Sequence, residues 1–372
     1  MQIKSARVAL HVALIALVTA VAVIGIQRGG VLQRLEWISL DQRMKTVRGD
    51  VRAPNDIALI LINEASLQTL NPLLGRYPWP RSVYADMLDF LSRGHPRAVV
   101  FDILFTENEK DAPGAAALSV HDRRLIDTTR RTGFTYHAAQ INNDPGVDGR
   151  GNPLPADFIS RFRVPGTTGF AAAGNNSYTL PINGLYQAAR GVGMVGMAPD
   201  GDGVYRRVKL FQVYQGNVYP ALSVAPLFAV PTPGGVRVNG DRLWFAHRRV
   251  PLDGDGNYLI NPYPAFNAYS IANVFASLQK MRGGDVENMI VRPDEFKDKI
   301  VFVGANALGL EDLKATPLSS ATPGVYLHAA AAANLLTGDF LTVASPWLTA
   351  VLIATLALAT GTGIALVHRF AL

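Results

Sequence analysis

The chain of 372 residues contains no cysteine. Disulfides, thiolate metal sites and cysteine nucleophiles are therefore excluded. An oxidising compartment is still open to it, because such a space permits disulfides without requiring them; the fold must then rest on its core. The seven histidines show no metal-ligand spacing and no H-E-x-x-H. No G-x-S-x-G nucleophile elbow and no G-K-[ST] phosphate loop occurs either. Hydrolase, metalloenzyme and NTPase readings thus lack their chemical minimum, and no metal or other cofactor is expected. Basic residues exceed acidic ones by a net +6 but form no run. That scatter suits solubility and a membrane surface, and no nucleic-acid partner is expected.

Mean hydropathy is positive, at +0.15, and the apolar residues gather at the two ends. Residues 8–26 are apolar apart from His11 and Thr19, behind Lys4 and Arg7 and ahead of Arg28. A cleaved signal peptide is the alternative, since Ala20-Val21-Ala22 spells a cleavage site, but the run continues to Ile26 with no polar segment before the cut. The second run, 348–367, follows Pro346 and the interfacial aromatic Trp347 and stops at His368 and Arg369. Each run is read as one membrane-spanning helix, the second being too long and too uncharged for an ordinary core helix. Ala357 with Gly361, and Ala359 with Gly363, lie four apart, a spacing that lets helices approach closely. The basic N-terminus places both chain ends in the cytoplasm and the intervening domain outside. The expected division is 1–27 as first span, 28–345 as extracytoplasmic domain and 346–372 as second span.

Within 28–345, apolar strands alternate with helical stretches, which predicts an α/β fold with a mixed, partly parallel sheet flanked by helices. Strands are expected at 57–63, 98–105, 134–141 and 300–304, and helices at 80–93, 118–132, 270–281 and 325–336. Residues 142–176 read as a long loop, 208–214 as an antiparallel strand, 220–229 as a short helix, and 236–245 as a hairpin around Asn239-Gly240.

The order of motifs resembles the CHASE2 domains, extracytoplasmic sensor modules of bacterial transmembrane receptors. The resemblance is carried by Asp41-Gln42-Arg43, ILINEASL at 60–67, YPWPRSVYADML at 77–88, and AVVFDILF at 98–105 with Asp111 beyond. It continues in DGDGVYRR at 200–207, FKDKIVFVGANALGLEDLKATP at 296–317 and TPGVYLHAAAAANLL at 322–336. It implies a sensor rather than an enzyme, set in a bacterial inner membrane with its large domain in the periplasm or outside the cell. Asn63 stands where the family usually carries an acidic residue, which puts a carboxylate role there in doubt. Family members also continue into a cyclase or kinase; this sequence is expected to be a truncation or a member without an output domain.

Three sets of residues invite chemistry. Gly191, Gly193 and Gly196 spell G-x-G-x-x-G, but a helical stretch precedes them and a proline-glycine turn follows, the wrong context for a dinucleotide. Asp200-Gly-Asp202-Gly203 and Asp253-Gly-Asp255-Gly256 lack the twelfth-position glutamate of a calcium loop and read as turns, the first closed by an Asp to Arg206 pair. The third set lies at strand carboxyl ends, where open α/β sheets bind ligands. It comprises Asn63 and Glu64, Asp102, Asn306 and Asp312, with Arg81 and His328 early in the flanking helices. These seven are the candidate ligand-binding residues; a buried polar network holding sheet and helices in register is the alternative. The expected partners are the membrane, an unidentified extracytoplasmic ligand and a second copy in a homodimer. An envelope scaffold without a small ligand, and an enzyme using the strand-end acids, remain as rival classes. Trp79 is read as a packing anchor.

Overall fold

A computed structural model describes residues 2–30, 32–109, 118–142, 153–165, 177–229, 234–240, 242–307, 310 and 313–370. In chain order the first elements are α1 (Gln2–Arg28), α2 (Gln33–Arg48), β1 (Ile57–Ile62), α3 (Glu64–Leu74), α4 (Ser82–Ser92), β2 (Ala98–Phe101), α5 (Val120–Thr132) and β3 (Thr135–Asn142). Then come α6 (Ala156–Phe162), β4 (Ser177–Thr179), α7 (Asn183–Ala188), β5 (Gly191–Met194), β6 (Arg207–Lys209), β7 (Phe211–Tyr214) and β8 (Asn217–Pro220). The chain continues through β9 (Val236–Asn239), β10 (Arg242–Phe245), β11 (Arg248–Arg249), β12 (Asn257–Leu259), β13 (Asn267–Ser270) and α8 (Ile271–Arg282). It ends with β14 (Ile300–Ala305), β15 (Leu313–Lys314), β16 (Thr322–Pro323), α9 (Gly324–Thr337) and α10 (Pro346–Phe370).

Two compact units result, Met1–Arg43 with Thr342–Leu372, and Met44–Leu341. In the first unit α1 and α10 touch, and a Cβ placed on Gly361 would lie 3.4 Å from Val12. Gly361 thus lies at a contact within the chain, whereas a Cβ on Gly363 would meet nothing within 4 Å. Residues Pro346–Ile364 form a helix long and apolar enough to cross a membrane, with mean hydropathy 1.7. Among the described residues the apolar part of α1, Val12–Ile26, is shorter than that threshold.

The second unit, Met44–Leu341, is the mixed α/β domain. Its main sheet has the order β13-β1-β14-β2-β3-β4, with β5 also paired to β3. All pairs are parallel except β3 with β4. Every residue of β1 is buried, as a strand covered on both faces requires. Alternation divides those faces. Ile57, Leu59, Leu61, Val100 and Phe302 point into a core shared with α9, whereas Ala58, Ile60, Ile62, Phe101 and Val303 meet α4, α5 and α8.

Local chemistry sets the helix limits. Ser119 and Asp122 form a capping box on α5, Ser270 caps α8, and Gly133 and Gly338 end α5 and α9 in the left-handed conformation. Most expected elements recur within a few residues. The exceptions are instructive. The loop expected over 142–176 holds α6, while 143–152 and 166–176 lie outside the described residues. Strand 208–214 is two strands broken at Leu210, and only Ala225–Ala229 of 220–229 is helical, as a 3-10 turn.

Gly191 and Gly193 of the G-x-G-x-x-G stretch lie on the buried strand β5, where packing leaves no room for a side chain, and Gly196 follows that strand. A Cβ on Gly191 would strike the Tyr136 ring at 2.5 Å, and one on Gly193 would fall on the Leu222 backbone. Backbone cannot turn aside as a side chain can. Gly193→Ala is expected to lower the unfolding free energy by about 1–3 kcal/mol, as overpacking does. Gly254→Ala, where a new Cβ meets nothing within 4 Å, should stay within about 0.5 kcal/mol. Urea titrations followed by tryptophan fluorescence check the pair, and equal effects would contradict this role.

Candidate functional site

Helices that follow β1, β2 and β13 all cover one face of the sheet, while α9, which follows β14, covers the other. The chain thus parts in opposite directions at the carboxyl ends of β14 and β2, the kind of crevice in which open α/β sheets bind ligands. A cavity of about 470 Å³ lies there. Ala305 from β14, Asp102 and Ile103 just beyond β2, Gln140 from β3, and residues 195–197 after β5 line it. Tyr77, Lys314, Gly324 and His328 also face it.

Close packing sets the position of His328. Gly304 has no side chain, and a Cβ there would stand 2.7 Å from Val325, so α9 lies directly on β14. The alanines 329–333 are buried and keep the rest of that helix equally near the sheet. His328 in its second turn is 2% exposed, and its Nδ1 has no hydrogen-bond partner. Burial, reinforced by the Lys314 charge, lowers its pKa to about 3 against a hydrogen bond to the Val195 backbone. The ring is neutral.

Lys314 lies on the β15–β16 ribbon, across from Thr322, with its ammonium 5.1 Å from the Tyr205 ring centre. That ribbon runs straight into α9. Asp102 leaves β2 with its backbone N–H donating to the Val303 carbonyl at 2.8 Å, and its side chain is half-buried. Tyr77 sits beside Trp79 edge to face, and the Trp79 indole N–H donates to Asn71 at 2.9 Å. At 3% exposure Trp79 is the packing anchor that its proline-flanked position suggests.

Of the seven candidate residues the structure brings Asp102 and His328 to one cavity. Asn63 is instead the N-cap of α3, accepting from Ser66 N at 2.9 Å and Ser66 Oγ at 2.7 Å. Glu64 is exposed on the first turn of that helix. Asn306 donates its backbone N–H to the Ile62 carbonyl at 3.0 Å and does not line the cavity. Arg81 turns to the helices: its guanidinium pairs with the fully buried Asp122 and the Glu107 carbonyl. Asp312, like Asp111, lies outside the described residues.

Two features have no clear signal in the sequence. His137 on β3 is fully buried, stacked on Phe101 at 5.1 Å, and neither ring nitrogen has a partner. Burial, with the Arg81 charge second, lowers its pKa to about 3. The other feature is a polar clasp where the chain enters and leaves this unit. Arg48 at the end of α2 lies 2.8 Å from Asp339 just beyond α9, and its Nε donates to the Pro262 carbonyl at 3.1 Å. Asn261 donates to Asp339 at 2.9 Å and exchanges backbone-to-side-chain bonds with Asn334 of α9.

The acidic turn at 200–207 is structural. Arg206, 1% exposed, holds Asp200 at 3.1 Å and Asp202 at 2.8 Å, and the hydrogen bond from its guanidinium keeps the Asp202 carboxyl below the usual range. A larger cavity, about 780 Å³, lies by Val164, Phe228 and Trp244. Arg237 is the one charged side chain among its described lining residues, so it lacks the convergent polar groups of the strand-end cavity.

The family model described as CHASE2 domain matches residues 18–365, nearly the whole chain. No curated protein and no solved structure matches it.

The two neutral histidines make stability depend on pH. Unfolded imidazoles titrate near 6.5, whereas these titrate near 3 in the fold. Between those values the unfolded chain binds protons that the native chain does not. Their contribution is therefore complete above about pH 7 and is lost as pH falls, by up to about 1.4 kcal/mol per pH unit for each ring. A His137→Leu, His328→Leu double variant is expected to lose less stability than the parent between pH 7 and 5 in urea titrations. Parallel curves would contradict the assignment.

Proposed function

Since the chain belongs to the CHASE2 domain family, a family of extracytoplasmic sensory domains, we propose that it is the input module of a bacterial transmembrane receptor whose strand-end cavity binds the stimulus. The observation that carries this reading is the coincidence of that cavity with the topological switch point of the sheet. In this reading α1 and α10 both span the membrane, both chain ends are cytoplasmic, and Met44–Leu341 faces outward. The output domain is a cyclase or kinase outside this sequence, and a second copy completes a dimer.

Helix α9 supplies the route for the signal. His328 lines the cavity near its start, and Asn334 near its end bonds Asn261, which holds Asp339 and thereby Arg48. At 14 residues the helix is about 21 Å long. A ligand that shifts its first turn by a fraction of an ångström would bias the clasp, and with it the segments leading to both spans. The ligand need only bind one setting of the clasp better than the other.

A thermal-shift screen of the full chain in lipid nanodiscs, run against small metabolites, tests the binding step. A ligand at about 100 times its dissociation constant should add roughly 2.7 kcal/mol of stability. Ala305→Phe, which fills the cavity, is expected to abolish the shift, and Arg48→Met to retain it. A wild type that no compound stabilises, or a shift that survives Ala305→Phe, would refute the reading.

A further inference from the structure

The small sheet β11-β10-β9 carries a charged face of its own. Residues 236–249 include Arg237, Arg242, Arg248 and Arg249 against a single acid, Asp241. Register puts Trp244 of the central strand opposite Arg237 on one side and opposite Arg249 on the other. Directly paired residues of antiparallel strands stand on the same side of a sheet, so one face presents a tryptophan between two arginines. Arg242, two positions along the same strand and paired to Asn239, shares that face. Leu243 and Phe245, on the other face, are buried in the core. Arg237, Arg242 and Arg249 are exposed, and none has an ion-pair or hydrogen-bond partner among the described residues.

Apolar surface continues this face. Trp244 and Arg237 line the cavity of about 780 Å³ together with Val164, Pro165, Val238 and Phe228, which is 44% exposed. Tryptophan and arginine around an apolar slot suit a membrane interface, where rings and aliphatic stems sit below the headgroups and guanidiniums meet phosphates.

Position favours the same partner. Arg248, next to Arg249 on β11, donates its Nη1 to the Thr337 carbonyl at 2.7 Å and ties the sheet to the last residue of α9. From there residues 338–345 lead to the apolar stretch Pro346–Ile364, a tether that reaches at most about 30 Å. A second copy is a poorer occupant, because two such faces would set arginine against arginine.

We propose that this face docks on anionic phospholipid headgroups of the membrane that holds the chain. The inference rests on the reading of α10 as a membrane span. Arg237, Arg242 and Arg249 meet headgroup phosphates, and Trp244 and Phe228 enter the layer just beneath. Through Arg248, docking also holds the end of α9 that carries the clasp.

The test is tryptophan fluorescence of the full chain in nanodiscs whose lipids carry bromine, a contact quencher, high on the acyl chain. Subtracting the emission of the Trp244→Phe variant isolates Trp244. Its emission is expected to be lost when phosphatidylglycerol is mixed with phosphatidylcholine. It should return in phosphatidylcholine alone, in high salt, and in the triple variant Arg237→Gln, Arg242→Gln, Arg249→Gln. Trp244 emission that no brominated lipid changes overturns the proposal, as does equal quenching in both lipids, which would mark apolar contact alone. The Trp244→Phe chain retains Trp347 at the start of α10. Quenching of that chain without quenching of Trp244 leaves the span standing and removes only the docking, and quenching of neither removes both.

Discussion

Strand β14 occupies the middle of the sheet although almost all of the domain precedes it in the chain. It pairs with β1 on one side and β2 on the other through registers that begin at Ile300↔Ile57 and Ile300↔Ala98. The sheet is therefore incomplete until the last third of the domain is in place, and its assembly depends on contacts far apart in sequence, which is intrinsically slow. The same placement sends α9 to the face opposite the other crossover helices. The strand-end crevice, the position of His328 and the path from cavity to clasp all follow from it.

Helix α9 is suited to transmit rather than to absorb a displacement. It is apolar on nearly all sides and buried accordingly, the pattern of a core helix rather than a surface one. Alanines at 329–333 leave no long side chains that could change rotamer and take up a shift. At its far end the arrangement changes to hydrogen bonds. Asn334, Asn261, Asp339 and Arg48 form one connected set, with Tyr263 both donating to Asp339 at 3.3 Å and lying under the Arg48 guanidinium. Such networks hold discrete geometries, because each member is costly to leave unpaired.

Much of the framework was legible in the residues themselves. Continuous apolar runs identified β1 and β14, and the helices expected at 118–132, 270–281 and 325–336 end within a residue or two of the observed limits. Helix α3 was hidden because Asn63 and Glu64 look like the polar end of a strand, whereas Asn63 is a cap and Pro72 lies inside the helix. Strand β13 has no apolar pattern of its own, since two of its four residues are exposed at the sheet edge; its pairing comes from β1. For the site, Asp102 and His328 were readable as polar residues near a strand end and a helix start. Arg81 was not, because its partner Asp122 lies 41 positions away on another helix. The clasp joins groups separated by more than 200 positions, as Arg48 and Pro262 are, and only the folded chain brings them together.

The central claim is that α9 carries occupancy of the cavity to the clasp, and hydrogen exchange of the full chain in nanodiscs, with and without a bound ligand, tests it most directly. Binding is expected to slow exchange of the first-turn amides of α9 and of residues 195–197, and also to change exchange at 261–263 and 337–340. Protection confined to the cavity, with the residues around Asn261 and Asp339 unchanged, would contradict the account.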